Sequence, residues 1–361
     1  MTELELYKNT VGHKGVGKFL FYTQFVHDML IPFAEYLGLD TNEEDEILCH
    51  KISEKFGMFA PVFLVPKNVK KPSVDRFLSY YKDFDIPKGA FINYLGVLEA
   101  PSPDSGFHFT QYISPLRNRD CLKDMEEYPI DNYIDADYSH FKEVADKAHS
   151  EGKAVTCWVG QIYESAWQIR GYEEYLMDMI EAPENCECLL DRITENCIKI
   201  AKEAAKAGAD YIRTGDDVAN QRALMFNIDM WRKFQKKHWK RVYDAARDIN
   251  PNIGIWYHSD GNIMDIIPEL IEIGVTILNP IQPECLDVEK VKREFGKDLV
   301  LDGCIGTQTV MPFGKPEDVR ETVKRCKDIV FDGALILSPT HVLEPEVPID
   351  NIMAFIEESL K

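Results

Sequence analysis

The chain has 361 residues, 45% hydrophobic and 28% charged, with a formal charge of −20, a balance typical of a globular protein with a large core. The negative charge is spread along the sequence, so nucleic acid and anionic membranes are poor partners. No stretch reaches the roughly 18 uninterrupted apolar residues of a membrane span, and the N-terminus, MTELELYKNTVGHKG, lacks the basic and apolar regions of a signal peptide.

Nine cysteines without regular spacing fit a reduced compartment better than a disulfide framework, and a cytoplasmic protein is expected. Cys186 and Cys188 form a CxC at the start of an amphipathic stretch, with no partnering cluster, and read as ordinary thiols.

Phe19–Phe25 reads as a first inward strand and Phe33–Leu39 as a short helix. The remaining residues to about position 85 read as a looped cap. Phe91–Ala100 is expected to be a strand, Gly106–Ser114 an irregular hairpin outside the main repeat, and Asp120–Tyr138 an acidic surface segment. From there strands and helices alternate. Strands are predicted at Ala154–Val159, Asp210–Thr214, Gly254–Tyr257, Val275–Ile281, and within LVLDGCIG and ALILSPT, with helices between them that stop at Gly152, Gly208 and Gly274. Six strand units follow in order, or eight with the two N-terminal strands. This rhythm predicts an α/β fold: a single (β/α)8 TIM-type barrel over residues 1–361, with 1–90 as N-terminal cap and first strand and 91–361 as the remainder.

In such a barrel the C-terminal strand ends share one mouth. Glu164, Asp216, Asp217, His258, Asp260, Gln282, Glu284, Cys304 and His341 all fall at or just beyond strand ends. Burying so many acids and imidazoles is unfavourable unless a metal or polar substrate compensates. His140, His149 and His238 fall on predicted helices and read as surface or interface residues.

The segments GADYIRTGDDVANQ, HSDGNIMDIIPELIEIGVTILNPIQPECLD, GCIGTQ followed by GKPEDV, and LSPTHVLEPEVPIDNIMAF resemble, in order and spacing, the uroporphyrinogen decarboxylase superfamily. The resemblance covers roughly Ala154 to the C-terminus and implies the same barrel. True decarboxylases of the superfamily carry an N-terminal motif whose arginine holds substrate carboxylates. The corresponding segment, KFLFYTQFVHDM, has no arginine, and a polycarboxylate without a guanidinium fork in so acidic a chain is physically implausible. The resemblance therefore points to the cobalamin (corrinoid)-dependent methyltransferase branch.

In the coenzyme M enzymes of that branch, zinc is held by His-x-Cys and a distant Cys. Here His258 matches the first ligand, Asp260 stands in the Cys position, and His341 stands near the distant Cys. The expected metal set is His258, Asp260 and His341, with Cys304 as a further candidate. Without thiolates it suits zinc or another divalent metal. Glu164, Asp217 and His258 are the candidate catalytic residues, and Tyr163, Asp216, Gln221, Gln282 and Glu284 the candidate substrate-binding residues.

The implied function is methyl transfer between a small methylated, for example methoxylated, substrate and a corrinoid. The chain has no cobalamin-binding DxHxxG fingerprint, so the corrinoid is expected on a separate partner protein. Homodimers are common in the superfamily, but no apolar stripe marks a dimer face here. The alternative enzyme is a metal-free decarboxylase or lyase using His341 and Asp216, with a substrate carboxylate clamped by Arg213 or Arg170. A non-catalytic corrinoid-binding protein is a third reading.

Overall fold

The computed structural model describes residues 1–101 and 110–361. Eleven strands lie within them: β1 (Leu20–Phe21), β2 (Val62–Phe63), β3 (Phe91–Ile92), β4 (Leu98–Pro101), β5 (Thr110–Ile113), β6 (Val155–Gly160), β7 (Tyr211–Gly215), β8 (Gly254–His258), β9 (Ile277–Ile281), β10 (Val300–Ile305) and β11 (Leu335–Pro339). Eight form one parallel sheet in the order β1-β11-β10-β9-β8-β7-β6-β2. The outer strands approach where the Phe59 N–H donates to the Phe21 carbonyl at 2.8 Å. The architecture is that of the expected TIM-type barrel.

The six strands from β6 onward match the expected units because each is a nearly continuous buried run, as parallel strands covered on both faces must be. The second barrel strand differs from expectation. It is Val62–Phe63, whereas Phe91–Ala100 supplies β3 and β4 of a separate antiparallel sheet, β3-β4-β5. The alternation at Phe91–Ala100 is a true strand signal, but of a hairpin inserted between β2 and β6. Residues 106–109 of the expected hairpin lie outside the described residues. Its later part, β5, pairs with β4.

The inserted sheet has its own small core of Tyr81, Leu98, Ala100 and Ile113. The Tyr81 hydroxyl accepts from the Leu98 N–H at 3.1 Å and sits 2.8 Å from the Gly96 carbonyl. Asp120–Tyr138 is not simply surface either. Met125 and Tyr128 are fully buried, and the Tyr128 hydroxyl donates to the Leu95 carbonyl at 2.6 Å, fastening this segment beneath the insertion.

Two helices show how the sequence directs the rest. The first, Glu3–Val11, starts with a capping box between Thr2 and Glu5. Its Glu3 carboxylate accepts from the amides of Ala60 and Ala154 at 3.0 and 3.1 Å, and Tyr7 stacks on Tyr211, so it seals the barrel end opposite the mouth. The second, Pro183–Ala207, has proline in its first turn and stops at Gly208, in the left-handed region at φ +89. One apolar stripe packs it on the helix Lys237–Arg247. There His238 is completely buried, contrary to its reading as a surface or interface residue, 3.0 Å from the Thr194 hydroxyl. Among the described residues no helix is long and apolar enough to cross a membrane.

Candidate active site at the barrel mouth

Strands β7 and β8 run in register, pairing Gly215 with His258. A side chain at Gly215 would not fit, since a Cβ there would lie 2.6 Å from the His258 carbonyl and 2.7 Å from the His258 Cβ. The bare glycine lets the Asp216 N–H donate to the His258 carbonyl at 3.0 Å. The acidic pair after β7 is thereby set beside the imidazole after β8.

The His258 ring is fixed from behind. Its Nδ1 lies 2.7 Å from Asn279 Oδ1, and the Asn279 amide group contacts the Tyr22 hydroxyl at 3.3 Å. A carbonyl oxygen accepts only, so Nδ1 carries the proton. Nε2 then faces the mouth, 3.6 Å from Asp217 Oδ1 and 3.9 Å from Asp260 Oδ1. Burial works against a charged imidazole here, but Asp217 and Asp260 outweigh it and hold the His258 pKa above its ordinary value.

Asp217, His258 and Asp260 each offer a donor atom within 4.8 Å of the others. The Asp260 N–H donates to Asp217 Oδ1 at 2.7 Å, but the buried Asp260 Oδ1 accepts no hydrogen bond among the described residues. Burial, above all, pushes the Asp260 pKa up. A buried carboxylate oxygen with no donor, facing a ring nitrogen and a second carboxylate, fits a divalent cation. His341 is exposed after β11; it acts on Asp260 through charge and is not among these three donors. Cys304 is buried, with its neighbour Cys326 on the helix Pro316–Ile329; the Cys326 thiol reaches the Cys304 carbonyl. It thus sits in the layer between strand and helix.

Glu164 opens the helix Tyr163–Arg170 just after β6. Its Oε2 accepts from the Asp217 N–H at 3.0 Å and from the Gln161 side-chain amide. Burial first, then the charges of Asp217 and Asp216, push its pKa up to about 8, so it holds a proton at neutral pH. Asp216 is fully buried, with its Oδ1 accepting from the Glu164 N–H at 3.0 Å and its Oδ2 from Trp239 Nε1 at 2.8 Å. Burial raises its pKa to about 7. Both oxygens are engaged with the protein, and Asp216 ties the Glu164 turn to the core.

The remaining predicted residues spread around the rim. Tyr163 is buried edge-on to Tyr175 and Phe226. Gln282 Oε1 accepts from the Gly261 N–H at 3.1 Å. Glu284 Oε1 accepts from the Thr309 hydroxyl at 2.8 Å, while its Oε2 is buried without a partner among the described residues. Exposed Gln221 donates to Gln308 Oε1 at 2.8 Å, bridging the loops after β7 and β10. Asn279 and Trp239 escaped the sequence reading. Asn279 sits inside an apolar strand, ILNPI, where a lone amide was the available signal.

With this geometry in view, the family model for uroporphyrinogen decarboxylase matches residues 121–360, well over half of the chain. The chain belongs to the uroporphyrinogen decarboxylase family. Among solved structures it is similar to a methyltransferase from Methanosarcina mazei, at 16% identity and a TM-score of 0.66, covering 99% of this chain and 98% of that one. At that identity the likeness is one of fold. A B12-independent methionine synthase from Shewanella sp. W3-18-1 aligns at 13% identity and a TM-score of 0.40, over 64% of this chain and 72% of that one. None of the curated proteins compared matches the chain.

Proposed function

We propose that this family member is a methyltransferase that moves a methyl group between a small methylated substrate, such as a methoxylated compound, and the corrinoid of a separate protein. The observation that carries the reading is the His258 ring, locked by Asn279 so that Nε2 points at Asp217 and Asp260, beside a proton-bearing Glu164. Two further points support it. The Methanosarcina mazei methyltransferase shares the fold nearly end to end. The acids at the mouth, with no arginine in Lys18–Met29, disfavour the polyanionic substrate of a true decarboxylase.

In this reading Asp217, His258 and Asp260 would hold a divalent ion such as zinc, and His341, whose charge acts on Asp260, is the candidate fourth ligand. The ion would supply Lewis acidity at the oxygen that loses its methyl group. Glu164 delivers a proton to that oxygen as the C–O bond breaks, which converts a poor alkoxide or phenolate leaving group into an alcohol or phenol. Asp216 fixes the Glu164 turn, and the open rim around Gln221 and Glu284 admits substrate on one side and the corrinoid face on the other.

The competing reading, a metal-free lyase on a smaller carboxylated substrate, has one observation in its favour. The guanidinium of Arg213 lies 4.0 Å above the Trp256 ring, and its Nε has no hydrogen-bond partner among the described residues. Arg170, by contrast, is committed to Asp178 at 2.6 Å and to the Leu116 carbonyl. The deciding experiment is metal content of protein purified without chelator, in the wild type and in His258→Ala, followed by methyl transfer to a corrinoid protein. About one divalent ion per chain, lost in the variant together with transfer, is expected. A wild type without metal that gains no activity on reconstitution would overturn the reading in favour of the lyase.

A further inference from the structure

A cavity of about 730 Å³ opens beside the mouth, between the ends of β2 and β6 and the inserted antiparallel sheet. It starts at Gln161, whose amide donates to Glu164, and reaches Asp131. Its walls hold Phe63, Tyr94 and Trp158, three aromatic residues exposed to solvent by 43%, 52% and 41%. Trp158 is the one exposed residue in β6. Large aromatic rings left open around one concavity mark a surface built for a ligand.

Asp131 gives that ligand its sign. The residue is only 6% exposed, yet neither carboxylate oxygen has a hydrogen-bond partner among the described residues. Its backbone is pinned, since the Asp131 carbonyl accepts from the Asn196 amide at 2.8 Å and the next N–H, of Asn132, donates to the Lys70 carbonyl at 3.0 Å. The backbone that carries the carboxylate is therefore held in place, and no described residue hydrogen-bonds the carboxylate itself. Lys71, exposed at the cavity rim, acts on it through charge without a hydrogen bond. Burial raises the Asp131 pKa, because desolvation disfavours the charged carboxylate.

We propose that this cavity is the specificity pocket, and that it takes the ammonium group of a small cationic substrate, with Asp131 as counter-ion and Phe63, Tyr94 and Trp158 as the aromatic wall. Cations favour the faces of such rings, and an aromatic enclosure with a nearby carboxylate selects alkylated ammonium groups over neutral ones of the same shape. The other end of the ligand then lies at Gln161 and Glu164. The inference thus deepens the methyl-transfer reading by placing the reacting end of an amine-bearing substrate at the mouth.

The test is calorimetric titration of chelator-treated protein with choline and with 3,3-dimethylbutan-1-ol, its uncharged carbon isostere. Choline is expected to bind at least tenfold more tightly, and Asp131→Asn to erase that difference. Should that variant fail to fold, Trp158→Leu, at an exposed position, is expected to lose about tenfold in choline affinity. Equal affinity for the two probes, no choline binding, or an unchanged ratio in a folded Asp131→Asn protein would overturn the proposal. Because binding is read without metal or corrinoid, choline binding with no methyl transfer from its O-methyl ether, 2-methoxyethyl-trimethylammonium, to a corrinoid protein would keep the pocket and sink the methyltransferase. Transfer from an uncharged methoxy donor with no choline binding would do the reverse.

Discussion

Asn279 Oδ1 holds His258 Nδ1 at 2.7 Å and thereby decides which nitrogen His258 presents to Asp217 and Asp260. Metal-ligating histidines are commonly oriented in this way, and loss of the orienting group typically weakens metal binding by roughly 10–100-fold. Asn279→Leu should therefore lower divalent-ion affinity by that order while the protein stays folded. Equilibrium dialysis against zinc measures it, and wild-type affinity in the variant would separate Asn279 from the metal site.

Glu164→Gln keeps the shape of the side chain and removes its transferable proton. The expected result is a kcat roughly 10²–10⁴ lower, with metal content and substrate KM close to those of the wild type. Steady-state kinetics beside metal analysis checks both. A variant as fast as the wild type would take Glu164 out of the proton transfer.

Gly215→Ala would force a methyl group against the His258 backbone. Overpacking of this kind destabilises a fold by about 1–3 kcal/mol, and here the displaced backbone carries His258, a proposed metal ligand. Urea denaturation should show the loss of stability and metal analysis a stoichiometry well below the wild type. Full stoichiometry would mean that the two strands can separate without disturbing His258.

Stability in mild acid should depend on His238. Burial first, then the charge of Lys237, depresses its pKa to about 4, below an unfolded value near 6.5. The unfolded chain thus takes up the proton first. The contribution of His238 is complete above about pH 6.5 and is lost as pH falls through 4, by a few kcal/mol at most. His238→Gln should flatten the stability curve between those limits in denaturant melts across pH. A curve parallel to the wild type would place the acid sensitivity elsewhere.

The sequence made the six later strands and their polar ends plain because each is an apolar run, and some of the helices between them stop at a glycine, as at Gly208 and Gly274. The second barrel strand was hidden because Val62–Phe63 is two residues long, follows Pro61 and is soon followed by Pro66, whereas Phe91–Ala100 alternates convincingly and belongs to another sheet. At the site, the spacing of His258 and Asp260 was legible within one loop. That Asp217 converges on them depends on the close approach of β7 and β8 at Gly215, which no spacing encodes. Asp131 looked like any acid in an acidic segment, and its burial is a product of tertiary packing by the insertion.

The barrel seam has a consequence for how the protein is made. β1 pairs with β11, so Leu20 and Phe21 meet partners more than three hundred positions later, at Ile336 and Leu337. A ribosome delivers β1 early and β11 almost last. For nearly the whole of synthesis the first strand has an unpaired edge and the nascent barrel stands open, a state prone to pairing with neighbouring chains. Chaperone dependence and low yield on fast expression are the outcomes expected from that order of delivery, measurable by comparing soluble yield with and without co-expressed chaperone. A circular permutation that brings β11 and β1 together in the chain should relieve both.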